Sequence, residues 1–359
     1  MKYKVIRAAP KGSAGIRLLN ALFSGAGFLA IWVMLAGCAR PPEARPEFVF
    51  GTICTVQLYQ YGSSALYGEI FSRLREIEGC LSASLPDSDV SAVNRQAGKA
   101  PVKVRPELIT VLGAALCYAE LSGGAFDPTV GPLVKLWAIG SEDARVPGED
   151  EIAAALSLVN WRDIIINREE GTVFLRRPGM GIDLGAIAKG YAADEAARII
   201  RAAGVPRAVI DLGGNIFAHG EKRDGDPWRI GIQDPLEERG ASIGLLEVRN
   251  KTVVTSGVYE RFLEAGGKRY HHILSTRDGY PVDQGLLSVT IMADRSMDAD
   301  ALSTAAFALG YEEGKALVES AGAGAIFVFD DSRLRAAGEI LPMFILNSGT
   351  AYRLEGDEP

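Results

Sequence analysis

Asp183-Leu184-Gly185-Ala186-Ile187-Ala188-Lys189-Gly190 puts an acid and a base on a run of small residues between a strand and a helix. Upstream, residues 172–175 (Thr-Val-Phe-Leu) read as the strand. Downstream, Ile187, Ala188, Ala192, Ala193, Ala196, Ala197, Ile199 and Ile200 recur at roughly helical spacing, predicting a helix over 191–203 closed by Gly204 and Pro206. Gly185, Ala186 and Ala188 then fall in or near a first turn whose N–H groups lack intrahelical partners and attract anions. Lys189 adds positive charge there. Asp183 either caps the turn or receives a sugar hydroxyl or a metal-bound water. An ordinary capped helix with a surface lysine shows the same pattern, so the rest of the chain has to separate the two.

Working outward, apolar periodicity predicts further helices over 67–79, 108–121, 151–158, 301–309 and 312–320. Strand-like runs occupy 55–59, 208–210, 228–232, 244–248, 252–255, 287–291 and 324–329. Polar residues alternate through many of them, which suits half-buried antiparallel strands better than an all-parallel sheet. The expected class is α+β. Neither G-x-G-x-x-G nor G-x-x-x-x-G-K-[ST] occurs, so neither a Rossmann nor a P-loop site is supported.

The N-terminus predicts an address. Lys2, Lys4, Arg7, Lys11 and Arg17 precede an apolar run from about 18 to 35, which closes on Leu35-Ala36-Gly37-Cys38. That order is a secretory signal, and Cys38 stands where a bacterial lipobox is cleaved and acylated. The expected organisation is a signal peptide over 1–37, a lipidated tether over 38–49 and a single domain over 50–359. Without the leader the chain carries 33 basic and 45 acidic residues, net −12. No basic cluster follows the leader, which argues against a nucleic-acid partner. Cys54, Cys80 and Cys117 are an odd set without C-x-x-C spacing, so buried free thiols are expected rather than a zinc site or a disulfide framework.

Three other segments carry chemical groups. Gly123-Gly124-Ala125-Phe126-Asp127-Pro128 either ends a helix or lets a ligand approach the backbone. Tyr270-His271-His272-Ile273-Leu274 holds two of the three histidines. Neighbours on an extended segment point to opposite faces, so at most one faces a given site, and imidazole is the side chain best suited to act as a base near neutral pH. In Asp298-Ala299-Asp300-Ala301-Leu302-Ser303-Thr304, Asp300 and Thr304 share a helical face and offer two oxygens to a hard cation. A plain N-cap at Asp298 or Asp300 is the alternative.

Taken in order, these segments together with Asp211-Leu212-Gly213-Gly214-Asn215 and Thr255-Ser256-Gly257 resemble the FAD:protein FMN transferases of the ApbE type. The resemblance runs from about 51 to 344. It implies an α+β fold with antiparallel sheets, and a reaction in which FAD is split at its pyrophosphate, FMN is joined to a threonine hydroxyl of a target protein, and AMP leaves. Matching positions imply Mg²⁺ held by the Ala186 carbonyl, the Asp300 carboxylate, the Ser303 carbonyl and Thr304. They imply FAD contacts at Ala125, Phe126, Asp127, Asp183, Lys189 and the backbone near Ile273, with His272 as the base and His271 a bystander. The sequence departs from the family at Phe50 (usually Met), at Ser84 (usually aromatic) and at Ser275-Thr276 (commonly Asp-Pro). These sites lie where the family packs the flavin and adenine rings. The implied acceptors are Nqr/Rnf-like membrane redox subunits with a Ser/Thr-Gly-Ala-Thr type site. The implied location is a membrane lipoprotein facing the periplasm, on the inner rather than the outer membrane. An FAD pyrophosphatase using water as acceptor, or a flavin-binding lipoprotein without activity, would share the same site.

Overall fold

The computed structural model describes residues 44–356; the expected signal peptide and Cys38 lie outside the described residues. Nine strands form the main sheet and lie side by side in chain order. They are β1 (Arg45–Val49), β2 (Thr52–Leu58), β3 (Ala208–Leu212), β4 (Asn215–His219), β5 (Lys251–Gly257), β6 (Leu286–Ala293), β7 (Gly324–Phe329), β8 (Arg333–Ala337) and β9 (Arg353–Glu355). Every neighbouring pair is antiparallel except β8 and β9. The α+β class with antiparallel sheets is thus what the chain adopts.

Among the described residues eight helices accompany the sheet: α1 (Ser64–Leu81), α2 (Asp89–Arg95), α3 (Pro106–Leu121), α4 (Gly131–Trp137), α5 (Glu149–Leu156), α6 (Ala188–Ala202), α7 (Ser296–Leu309) and α8 (Tyr311–Ser320). One face of the sheet packs Ile210, Leu212, Phe217, Val254, Val289 and Ile291 against α6 and α7. The other face packs Val253, Met292, Ile326 and Val328 against a three-stranded sheet that carries Trp228, Ile230, Ile232 and Leu246. Burying each such aliphatic side chain stabilises the fold by about 1.5–3 kcal/mol. Coverage on both faces explains why the central strands lose polar alternation and read as apolar runs.

Two sequence expectations are corrected here, and two short helices went unpredicted. The tether was expected to reach residue 49, yet Arg45–Val49 is β1, in register with β2 through Phe48 opposite Ile53. Pro46 disguises it, and an edge strand tolerates a proline because one of its sides needs no ladder bond. The short helices α2 and α4 give too few turns for periodicity to register. Of the three thiols, Cys54 and Cys80 are buried and free as expected, but Cys117 is exposed. Among the described residues no helix is long and apolar enough to cross a membrane.

Candidate active site

Glycine-permitted close approaches build the site. A Cβ on Gly190 would overlap the Ser296 carbonyl oxygen, so only glycine lets α6 cross α7 at this depth. Asp194 of α6 then caps α7, accepting from Ser296 N–H at 2.8 Å and from Met297 N–H at 3.1 Å. Neither Asp298 nor Asp300 is the cap, because α7 starts earlier than its apolar pattern shows. Asp300 therefore sits a turn inside the helix, buried, where its Oδ2 accepts from Gly190 N–H at 2.9 Å.

The opening segment also folds differently from its expected form. Residues 183–187 precede α6, and Asp183 closes a turn by accepting from Gly185 N–H at 2.8 Å. Of the N–H groups expected to attract an anion, that of Ala188 goes instead to the Leu184 carbonyl at 2.9 Å, and the Gly190 N–H, in the first turn of the helix, goes to the Asp300 carboxylate. Lys189 stays beside the site: its Nζ donates to the Gly185 carbonyl at 3.1 Å and lies 3.9 Å from Asp300 Oδ1.

A cleft of about 670 Å³ opens above this crossing, a size suited to an organic ligand. Phe50, Ser84, Ala125, Phe126, Asp127, Asp183, Ala186, Lys189, His272, Ile273, Asp300 and Thr304 all line it. Ser303 does not: it is fully buried behind the cleft, with its hydroxyl donating to the Asp300 carbonyl at 2.9 Å. Ser256 joins the two sides, its Oγ lying 2.8 Å from Ser303 Oγ and 3.1 Å from Thr304 Oγ1. Among the described residues no three His, Cys, Asp or Glu side chains cluster as a metal cage. The oxygen set is instead one carboxylate, one hydroxyl and a carbonyl. Such a sparse hard set fits an ion that keeps several waters and binds ligand phosphates, as Mg²⁺ does.

The two histidines have different surroundings. His271 is buried, with Nε2 2.8 Å from the Val282 carbonyl and Nδ1 accepting from Ile273 N–H at 3.3 Å. Both of its ring nitrogens are used inside the fold, and the ring packs edge-on against Phe307. His272, just past the end of the strand Lys268–His271, faces the cleft instead. Its Nδ1 lies 3.3 Å from the Arg261 carbonyl, an acceptor only, so neutral His272 carries its proton on Nδ1 and leaves the Nε2 lone pair open. Burial, and next the Arg261 guanidinium, push its pKa down to about 4, which keeps the ring neutral at physiological pH.

Asp127 lines the cleft, but its carboxylate is occupied in shaping the loop. Its Oδ1 accepts from Thr129 N–H and Oγ1–H at 2.8 and 2.6 Å, and its Oδ2 from Trp161 N–H at 3.0 Å. Burial raises its pKa. Thr276, one of the departures from the family pattern, ties the histidine segment to this loop by donating to the Gly124 carbonyl at 2.7 Å. At the other wall, Phe50 stands in a left-handed conformation (φ 56°) in a two-residue turn with Gly51, and its N–H donates to Glu78 Oε1 at 2.7 Å. Glu78, Arg239, Glu260 and Arg261 also line the cleft. Sequence reading missed these four. They are isolated charges on separate elements, and no spacing rule collects them.

Comparison with known proteins identifies the family. The family model described as the ApbE family matches residues 50–327. A FAD:protein FMN transferase of Treponema pallidum is 43% identical over 325 residues, covering 85% of this chain and 90% of the relative. One from Klebsiella pneumoniae is 39% identical over 281 residues, covering 78% and 87%. Among solved structures, the flavin transferase ApbE from Vibrio cholerae aligns with a TM-score of 0.76 at 28% identity, covering 84% of this chain and 98% of that one. The ApbE protein of Thermotoga maritima aligns with a TM-score of 0.75 at 33% identity, covering 82% and 96%. With a family model spanning most of its length and relatives this similar over nearly their whole chains, this chain belongs to the ApbE family.

Proposed function

We infer that this chain is a FAD:protein FMN transferase, an enzyme that moves the FMN half of FAD onto a threonine hydroxyl of an acceptor protein. The observation that carries the reading is the meeting, in one cleft, of the open Nε2 of His272 with Lys189, Asp300 and Thr304. In the reaction the hydroxyl oxygen attacks the FMN phosphorus, a P–O bond forms, the bond to the bridging oxygen breaks, and AMP leaves. Neutral His272 takes the hydroxyl proton on Nε2, while the Arg261 carbonyl holds Nδ1–H and fixes the ring. Lys189 sets positive charge beside the diphosphate, and Phe50 and Phe126 supply apolar wall to the rings.

Mg²⁺ would rest on Asp300, Thr304 and the Ala186 carbonyl, where it would neutralise diphosphate charge. Ser303 would support it indirectly through the hydroxyl pair with Ser256. The acceptor is read as a Nqr/Rnf-like membrane subunit carrying a Ser/Thr-Gly-Ala-Thr type site, and Cys38 as the acylated anchor of a periplasm-facing lipoprotein on the inner membrane. Incubation with FAD, Mg²⁺ and such an acceptor tests the reading. Covalent flavin on the acceptor, with release of AMP, is the expected result. Free FMN and AMP with unlabelled acceptor would mean a pyrophosphatase, and unchanged FAD a binding protein.

A further inference from the structure

Asn215 lines the cleft and is 1% exposed, yet neither its Oδ1 nor its Nδ2 has a hydrogen-bond partner. A buried amide left without partners destabilises a fold, and nearly all such groups in proteins are paired. Local rules broken without structural compensation mark functional positions.

Register says what lies near it. Asn215 opens β4 directly after the Gly213-Gly214 turn and stands opposite Val254 of β5. Val254 and, two residues on, Ser256 share one face of β5, so Asn215 and Ser256 are diagonal neighbours about 7–8 Å apart. Ser256 is the residue whose hydroxyl touches Ser303 and Thr304. Phe217, on the same face of β4 as Asn215, packs into the helix-side core. The amide thus belongs to the layer beneath α6 and α7, on the side of Thr304 and Asp300. Gly214 adds no bulk there: a Cβ on it would meet nothing within 4 Å.

We propose that Asn215 is a further substrate-holding residue for the diphosphate of a bound dinucleotide and its hydrated divalent cation, a proposal that rests on the transferase reading. Nδ2 donates to a phosphoryl oxygen and Oδ1 accepts from a cation-bound water. A diphosphate alone offers only acceptors and would leave Oδ1 unpaired, so the hydrated cation is part of the match. The edge of a flavin or adenine ring also offers a donor beside an acceptor, and the experiment has to separate the two.

The experiment compares full-length wild type, Asn215→Leu and Asn215→Ala in detergent by thermal melting and by titration with ADP plus Mg²⁺ and with riboflavin. Leu removes the orphan amide at similar volume, so the unliganded Asn215→Leu protein is expected to melt at or above the wild-type temperature. Affinity for ADP plus Mg²⁺ is expected to fall about ten- to a hundredfold in both variants, with riboflavin affinity unchanged. A loss of riboflavin affinity with ADP affinity retained would make Asn215 a ring-edge reader and overturn the proposal. Misfolding or a lower melting temperature of Asn215→Leu, with wild-type ADP affinity in Asn215→Ala, would make the amide structural and overturn it too. Wild-type protein that binds ADP plus Mg²⁺ but never labels an acceptor would sink the transferase reading alone.

Discussion

Lys189 and Asp300 face each other across the helix crossing, with Nζ 3.9 Å from Oδ1, while the other carboxylate oxygen accepts the N–H of Gly190. One acid therefore has two tasks. It fastens α6 to α7 through Oδ2 and presents Oδ1 to the cleft, and substitutions can separate these roles.

Asp300→Asn keeps an oxygen for the Gly190 N–H but removes the charge. The fold is expected to survive, with a melting temperature within a few degrees of wild type. The Mg²⁺ concentration for half-maximal FAD turnover should rise at least about tenfold. A Mg²⁺ titration decides: wild-type turnover at low Mg²⁺, or turnover that persists in EDTA, would leave Asp300 as a helix clamp only.

Gly190→Ala attacks the fastening. Its methyl group would overlap the Ser296 carbonyl, and α6 and α7 must part to admit it. Overpacking of this kind costs about 1–3 kcal/mol and here also displaces Asp300. Both melting temperature and turnover should fall. Gly68→Ala is the control, since a methyl on that exposed glycine of α1 meets nothing within 4 Å and should stabilise the helix by up to about 1 kcal/mol. Equal melting of Gly190→Ala and wild type would refute the close-crossing argument.

His272→Ala should retain FAD and lose transfer by about 10²–10⁴-fold, the usual contribution of a general base. His271→Ala should act on stability instead, because it breaks the bonds at Val282 and Ile273 and empties space against Phe307. Single-turnover flavinylation at saturating FAD separates them; a larger rate loss in His271→Ala would identify the wrong base.

The pH dependence carries its own sign. His272 is neutral above about pH 4 in the folded protein, and an unfolded histidine titrates near 6.5. The acid limb of kcat/KM should therefore lie well below the ordinary histidine range. Between those two values the unfolded chain binds the extra proton, so stability falls as pH drops from about 6.5 toward about 4. His272→Ala should lessen that acid loss. An acid limb near pH 6.5 in the free enzyme would contradict a ring kept neutral by desolvation at the cleft wall and by the Arg261 guanidinium.

The proposed anchor rests on the sequence Leu35-Ala36-Gly37-Cys38. Cys38→Ala is expected to abolish acyl labelling and to stop lipoprotein processing, because the acyl chains that hold such a protein to a bilayer are carried on that cysteine. Unchanged incorporation of labelled fatty acid would refute the anchor.

Sequence alone determined what depends on near neighbours along the chain. Spacing located α1, α3, α6 and the strands β2, β3, β5, β6 and β7 to within a few residues, and placed Asp300 and Thr304 on one helical face, but it missed β4. Alternation on an extended segment separated His271 from His272. Tertiary structure decided what each of these groups does. Nothing local says that Gly190 meets Ser296, that Asp194 rather than Asp298 caps α7, or that the Gly190 N–H is given to Asp300. Nor does any spacing gather Glu78, Arg239 and Arg261 around one cleft, or show that Asn215 is buried without partners. Periodicity records which face of an element is buried, whereas partnership across 110 residues is set by which backbones approach closely enough, and only the packed helices and sheet determine that.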